Sequence, residues 1–208
     1  RSTLFPYTTL FRSGSWDIGY IRITSFAENT AEEFRETYET LTASGMKGMV
    51  LDLRANPGGY ITSCVDVAKC LVPKGVIVSV VQRDGTRQEY DSTLTAPFGP
   101  IVVLIDNNSA SASEILAGAL QDTGAATLVG ETSYGKGSVQ MVMPIPGEDD
   151  AVKLTVAKYY TPNGRSINGT GVEPDVPVAQ AEGATEDMAL KKALEILGEK
   201  LKVSSPAL

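Results

Sequence analysis

The sequence predicts an α/β fold, a parallel-rich sheet packed with helices plus an antiparallel hairpin region. Three observations carry that reading. Two strand-loop-helix units of similar design occur, at 48–71 and 101–122. Each opens on a short apolar run, GMVLDL and IVVLID, of the kind a strand covered on both faces requires. Between them, Asp84-Gly85 separates two β-rich runs, which is the strongest short-range signal for a hairpin.

In chain order, the first thirteen residues, RSTLFPYTTLFRS, repeat Thr-Leu-Phe between two Arg-Ser pairs and resemble nothing downstream. They read as a translated cloning scar, 1–13, set apart from a core of 14–201 and a tail of 202–208. The first core strand spans 18–23, where Ile18, Tyr20 and Arg22 alternate with Gly19, Ile21 and Ile23. Thr30 and Glu33 form a capping box, and Phe34, Tyr38 and Leu41 then give one amphipathic helix that ends before Gly45. Strand 48–53 passes through Arg54-Ala-Asn-Pro-Gly-Gly59 into a helix on which Ile61, Cys64, Val65, Ala68 and Leu71 keep helical spacing.

The hairpin joins 76–82 to 86–90. Strand 101–106, a polar loop, a helix opening at Ser109, Ser111 or Ser113, and strand 127–130 make the second unit. Beyond Gln140 the pattern turns antiparallel, 139–145 against 152–160 across an acidic turn at Glu148 to Asp150. Asn163-Gly164 and Gly171 to Pro177 read as loop. Segment 186–201, with Leu190, Leu194 and Leu197 on one face, is a closing helix.

At 208 residues, 42% hydrophobic and 21% charged, the composition is that of an ordinary globular protein. A net charge of -7 repels nucleic acid and anionic lipid, and no run of Lys or Arg breaks that field, so a nucleic-acid partner is not expected. No apolar run approaches the roughly 18 residues of a membrane span. Cys64 and Cys70, six apart on one helix, point to different faces, which argues against a disulfide. Two cysteines and no histidine also make a metal site unexpected, and no cofactor is implied.

The absence of histidine excludes a Ser-His-Asp triad and leaves the Ser-Lys variant open. A serine at a helix N-terminus has unpaired backbone N–H groups beside it that can stabilise an oxyanion. Ser111 with Glu114 is equally a capping box, and three serines in five residues leave the nucleophile ambiguous among Ser109, Ser111 and Ser113. Lys136, between Gly135 and Gly137, has three readings. It is a solvated turn lysine, a P-loop lysine, or a general base. The P-loop reading fails at Gly137, where the Mg²⁺-holding Ser or Thr is missing, and at the GSVQMVMPIP segment, which has strand rather than helix character.

As a base, Lys136 requires burial in a dry site to become neutral near working pH. Gln140 shares a strand face with Ser138, and by the same alternation with Lys136, so its carboxamide could hold the lysine. The Asn56-Pro57-Gly58-Gly59 loop is a turn by composition, but its bare glycine N–H groups can also approach a substrate oxygen, with Ala112 N–H as the second donor.

Together LDLRANPGG, NNSASASEILAGALQD, VGETSYGKGSVQ and YYTPNGRSINGTGVEPD resemble the carboxyl-terminal processing peptidases, or tail-specific proteases. The resemblance covers 14–197 and implies a crotonase-like, β-spiral arrangement of the α/β fold. It implies that Ser111 is the nucleophile, Lys136 its general base and Gln140 the residue orienting that lysine. Gly58 or Gly59, with Ala112, would form the oxyanion hole. Members of that family carry a PDZ domain absent from this sequence, so the resemblance implies a catalytic core acting on unfolded or C-terminal polypeptide tails. It further implies an extracytoplasmic location on the periplasmic or cell-envelope side, and it leaves a homo-oligomer open. The contrasting expectation is a non-catalytic module of the same fold that binds peptides or apolar ligands.

Overall fold

A computed structural model describes residues 9–13, 16–145, 147, 150–179, 183 and 185–204. The apolar runs that opened the two units become β3 (Gly48–Asp52) and β6 (Ile101–Ile105), every residue of which is buried. They lie at the centre of a six-stranded sheet with β1 (Thr9–Ser13), β2 (Trp16–Arg22), β7 (Ala126–Gly130) and β10 (Val176–Pro177), in the order β1-β2-β3-β6-β7-β10. All pairings except β1 with β2 are parallel. Parallel neighbours need crossovers, and these are supplied by α1 (Thr30–Ala43), α2 (Ile61–Ala68) with the following hairpin, and α3 (Ala112–Asp122).

Alternation along the central strands divides the core into two layers. Ile21, Met49, Leu51, Val103, Ile105 and Leu128 face the layer that holds α1, α2 and α3. Ile18, Val50, Val102, Leu104 and Val129 face the opposite layer, closed by α4 (Met188–Ser204) through Ala193, Leu197 and Leu201. A second, antiparallel sheet has the order β5-β4-β9-β8, from β4 (Gly75–Gln82), β5 (Arg87–Ser92), β8 (Ser138–Pro144) and β9 (Ala151–Tyr160). The fold is therefore the mixed α/β architecture expected from the sequence, with Asp84-Gly85 in the β4–β5 turn.

Several local details differ from the sequence reading. Thr9–Ser13, inside the segment set apart as foreign, forms β1 and pairs along the whole of its length with β2. The flank of β2 away from β3 presents unpaired backbone groups, and an adjoining extended segment satisfies them whatever its origin. The predicted capping box at Thr30 is not made. Asn29 is the N-cap, Thr30 Oγ1 accepts from Ala27 N–H at 2.9 Å, and Glu33 Oε1 accepts from Asn29 Nδ2 at 2.8 Å.

β10 falls in a stretch read as loop, because two residues, one of them proline, carry no alternation. Only its neighbour β7 reveals it, through Val176 beside Val129. Helix α4 continues three residues past the expected limit, to Ser204. Glu148 and Asp149 of the acidic turn lie outside the described residues.

Candidate active site

Three loops meet at the carboxyl rim of the parallel sheet, where ligands bind in such folds. They follow β3, β6 and β7 and carry the residues singled out in the sequence. Asp106 ties the first two together, since its Oδ1 accepts from Ala55 N–H at 2.9 Å and Asn108 N–H at 3.0 Å, while its own N–H donates to Ser109 Oγ at 3.0 Å.

The three serines separate by what their hydroxyls do. Ser109 is buried and donates to the Leu53 carbonyl at 2.9 Å, and Ser113 is buried and donates to the Asn56 carbonyl at 3.0 Å. Both are committed to holding the loops. Ser111 is half-buried, donates its hydroxyl to no partner among the described residues, and has φ +56° and ψ -114°. That conformation is costly for a residue with a Cβ, and the same kind of strained strand-to-helix turn presents nucleophilic serines in other hydrolase folds. The anticipated capping box forms, with Ser111 N–H donating to Glu114 Oε2 at 2.8 Å and the Ser111 side chain turned to the Glu114 backbone N–H, which also reaches the Ser111 carbonyl oxygen at 2.9 Å. A capping hydroxyl only accepts, so its own proton stays available.

Lys136 is brought to the same place by its backbone. Its N–H donates to the same Glu114 Oε2, also at 2.8 Å, so the Ser111 and Lys136 nitrogens are at most twice that distance apart. Its side chain is exposed, contrary to the burial that a lysine base was expected to need. The loop packs through its backbone, with Gly137 buried so tightly that a Cβ there would lie 2.5 Å from Asn168 N. The long side chain is left at the rim.

Gln140 is also exposed. β8 begins at Ser138, so the shared strand face joins Gln140 to Ser138 but does not extend to Lys136, which precedes the strand. The register also slips between Val139 and Gln140, where Val156 is the extra residue on β9.

For the oxyanion donors, the structure separates the two glycines. Gly58 N–H is engaged, donating to Asn56 Oδ1 at 2.9 Å. Gly59 N–H and Ala112 N–H make no hydrogen bond among the described residues. Gly58 contributes differently, by lying over the nucleophile turn. A Cβ on it would meet Ser111 Cβ and Ala110 O at 2.8 Å each.

Asn56, which the sequence reading left as a turn residue, is fully buried and braces the site. Its Nδ2 donates to the Ile23 carbonyl at 2.8 Å, and its own carbonyl accepts from Ala110 N–H at 2.9 Å and from the Ser113 hydroxyl. An Asn before Pro-Gly carries no signal of this role beyond turn propensity.

At the back of the rim, Asp52 is fully buried at the end of β3 and accepts from Tyr20 OH at 2.6 Å and from Arg54 at 2.7 Å. Arg54 also reaches Asp187, one residue before α4, at 2.8 Å. Burial and then the Asp52 charge push the Tyr20 phenol up, so it stays a neutral donor. Burial opposes the charge on Arg54, but its hydrogen bonds to Asp52 and Asp187 outweigh that and raise it. Among the described residues no group of three or more His, Cys, Asp or Glu is placed to hold a metal ion.

Comparison with known proteins identifies the family. The profile of peptidase family S41 matches residues 17–178. The chain is 39% identical over 198 residues to the carboxy-terminal processing protease CtpB of Bacillus subtilis (strain 168), covering 92% of this chain and 41% of that protein. It is 44% identical over 174 residues to the carboxy-terminal-processing protease of Bartonella bacilliformis, covering 79% and 39% respectively. Among solved structures it is similar to the photosystem II D1 C-terminal processing protease, with a TM-score of 0.76 and 34% identity, over 95% of this chain and 50% of that one. The chain thus spans about two fifths of the length of these curated relatives.

Proposed function

The chain belongs to peptidase family S41, and from that premise we propose that it is the catalytic region of a carboxy-terminal processing serine endopeptidase with a Ser-Lys dyad. Ser111 Oγ attacks the scissile carbonyl carbon, and Lys136 Nζ takes the hydroxyl proton and later returns it to the leaving amine. Gly59 N–H and Ala112 N–H hold the oxyanion, and water then attacks the acyl-enzyme by the same base. The observation that carries the reading is the contrast among the three serines. Two spend their hydroxyl protons on loop carbonyls, while Ser111 alone combines a strained turn with a hydroxyl that donates to no partner among the described residues.

The substrate is a polypeptide in extended form. β8 is an edge of the second sheet. Gly137 O accepts from Tyr159 N–H and Ile145 N–H donates to Asp150 O, so the backbone groups of Ser138, Gln140 and Val142 face the open side. A substrate strand adding there would pass Lys136 and shield its ammonium group from water, which favours the neutral base. The exposed Met141, Val142 and Met143 suit apolar stretches of unfolded tails. Substrate selection by a PDZ domain and the extracytoplasmic location implied by the resemblance belong to the same proposal.

The alternative, a non-catalytic peptide-binding module, draws on the exposed Lys136 side chain. Cleavage of reduced casein by the parent, Ser111→Ala and Lys136→Ala, from about pH 6 to about pH 10, separates the two. The peptidase reading expects a loss of about 10³-fold or more in each variant and a rate that rises with one ionisation in the parent. Casein bound but never cut by the parent favours the binding module. Cleavage by Ser111→Ala would remove Ser111 as nucleophile.

A further inference from the structure

The GRSINGTGVEPD stretch and Glu114 carry no role in the mechanism above, yet they meet behind it. Glu114 is fully buried in the first turn of α3, and its carboxylate accepts four hydrogen bonds. Oε2 receives Ser111 N–H and Lys136 N–H. Oε1 receives Gly135 N–H and the Ser133 hydroxyl, both at 2.6 Å. One carboxylate therefore joins the nucleophile turn to the lysine loop at three points on that loop.

Ser133 passes the connection on. Its Oγ accepts from Val172 N–H at 2.7 Å, and its own N–H donates to the Val172 carbonyl at 3.1 Å. Gly135 O accepts from Gly169 N–H at 2.8 Å. The contact is close at every step, since a Cβ on Gly171 would lie 2.4 Å from Ser133 O and one on Gly135 would lie 3.1 Å from Gly171 N. The loop bearing Lys136 is thus held between α3 on one side and the 167–172 loop on the other.

We propose that Glu114 is a positioning residue that fixes Ser111 and Lys136 in one frame, with Ser133 and the 167–172 loop as its backing. The inference rests on the roles proposed above for Ser111 and Lys136. All four partners of the carboxylate are donors, so its function is to accept only. An amide of the same shape puts an NH₂ against at least one of these N–H groups. Ser133 cannot relieve every conflict: its hydroxyl could turn to accept from an NH₂ placed at Oε1, but Gly135 N–H would still face that same nitrogen. Glu114 touches neither substrate nor transferring proton, and its loss acts through geometry, where a displacement near 1 Å costs about 100-fold.

The test compares the parent with Glu114→Gln and Ser133→Ala. The readouts are the rate of Ser111 acylation by a β-lactone followed by intact mass, casein turnover and thermal midpoint. Acylation registers even where turnover is slow. The expected result is a fall of about 100-fold in acylation and kcat for Glu114→Gln, with KM changed less than about threefold. Ser133→Ala, which removes one of the four bonds and leaves the charge, falls about tenfold while remaining folded. Parent-like acylation in folded Glu114→Gln overturns the inference, and so does a loss matched by the unfolded fraction. Should Ser111→Ala still acylate, the failure lies with the nucleophile assignment instead.

Discussion

Replacing Gly58 by alanine tests whether the glycine loop holds the nucleophile in place by contact. Gly58 has φ +100°, a conformation that costs a residue with a Cβ about 1–2 kcal/mol. The added Cβ would also lie 2.8 Å from Ser111 Cβ and Ala110 O and 2.9 Å from Ala112 N, where ordinary contact begins at 3.4 Å. These neighbours are backbone or the first atom of a side chain, so relief requires the Ser111 turn to move by at least about 0.6 Å. Overpacking of that kind adds about 1–3 kcal/mol, for a total near 2–5 kcal/mol.

Gly85 is the matched control, with φ +88° and nothing within 4 Å of its added Cβ, so Gly85→Ala costs only the conformational part, about 1–2 kcal/mol. Urea unfolding of both variants, with β-lactone acylation of the folded protein, reads out the difference. Gly58→Ala should acylate between about tenfold and 100-fold more slowly than the parent, and Gly85→Ala at the parent rate. Equal destabilisation of the two variants with unchanged acylation in both would refute the contact argument.

Two further outcomes concern the buried groups. Arg54→Met should destabilise by about 3–5 kcal/mol in urea unfolding, because Asp52 is left buried with Tyr20 as its remaining side-chain partner among the described residues. The same variant should lose part of the parent's acid sensitivity. Partial burial pushes Asp187 up, but its hydrogen bonds to Arg54 and to the Leu190 and Ala189 N–H groups, with the Arg54 charge, together outweigh this and hold the carboxyl below its usual range. Its contribution to stability is therefore complete above the unfolded-state value near about 4 and is lost as pH falls through the lowered folded value. Urea midpoints between about pH 7 and about pH 3 measure that window.

For the cysteines, burial pushes the Cys64 thiol well up, and its Sγ donates to the Ala112 carbonyl at 3.1 Å. Cys70 is half-buried and raised less completely. A disulfide-exchange reagent at about pH 8 should modify Cys70 slowly and Cys64 only after unfolding, as read by mass.

The division of labour between sequence and tertiary structure reflects the range of the interactions involved. The apolar runs GMVLD and IVVLI determined two fully covered strands because burial on both faces leaves no room for polar residues. Asp84-Gly85 determined the hairpin through backbone conformation alone. The missing histidine excluded a triad by composition alone.

Which serine keeps its hydroxyl proton uncommitted was not legible locally, since Ser109, Ser111 and Ser113 sit in one run of small residues and the partners that separate them are distant. Leu53 and Asn56, more than fifty residues earlier, claim the outer two. The same holds for Glu114, a helix cap by local pattern, whose other partners stand about twenty residues downstream across α3 and β7. Gly58 and Gly59 are adjacent and chemically identical, and the Asn56 carboxamide distinguishes them by engaging one N–H. Sequence patterns report repeating burial and local backbone preference, whereas a hydrogen bond between distant loops has no period to read, and such bonds join the loops of the candidate site.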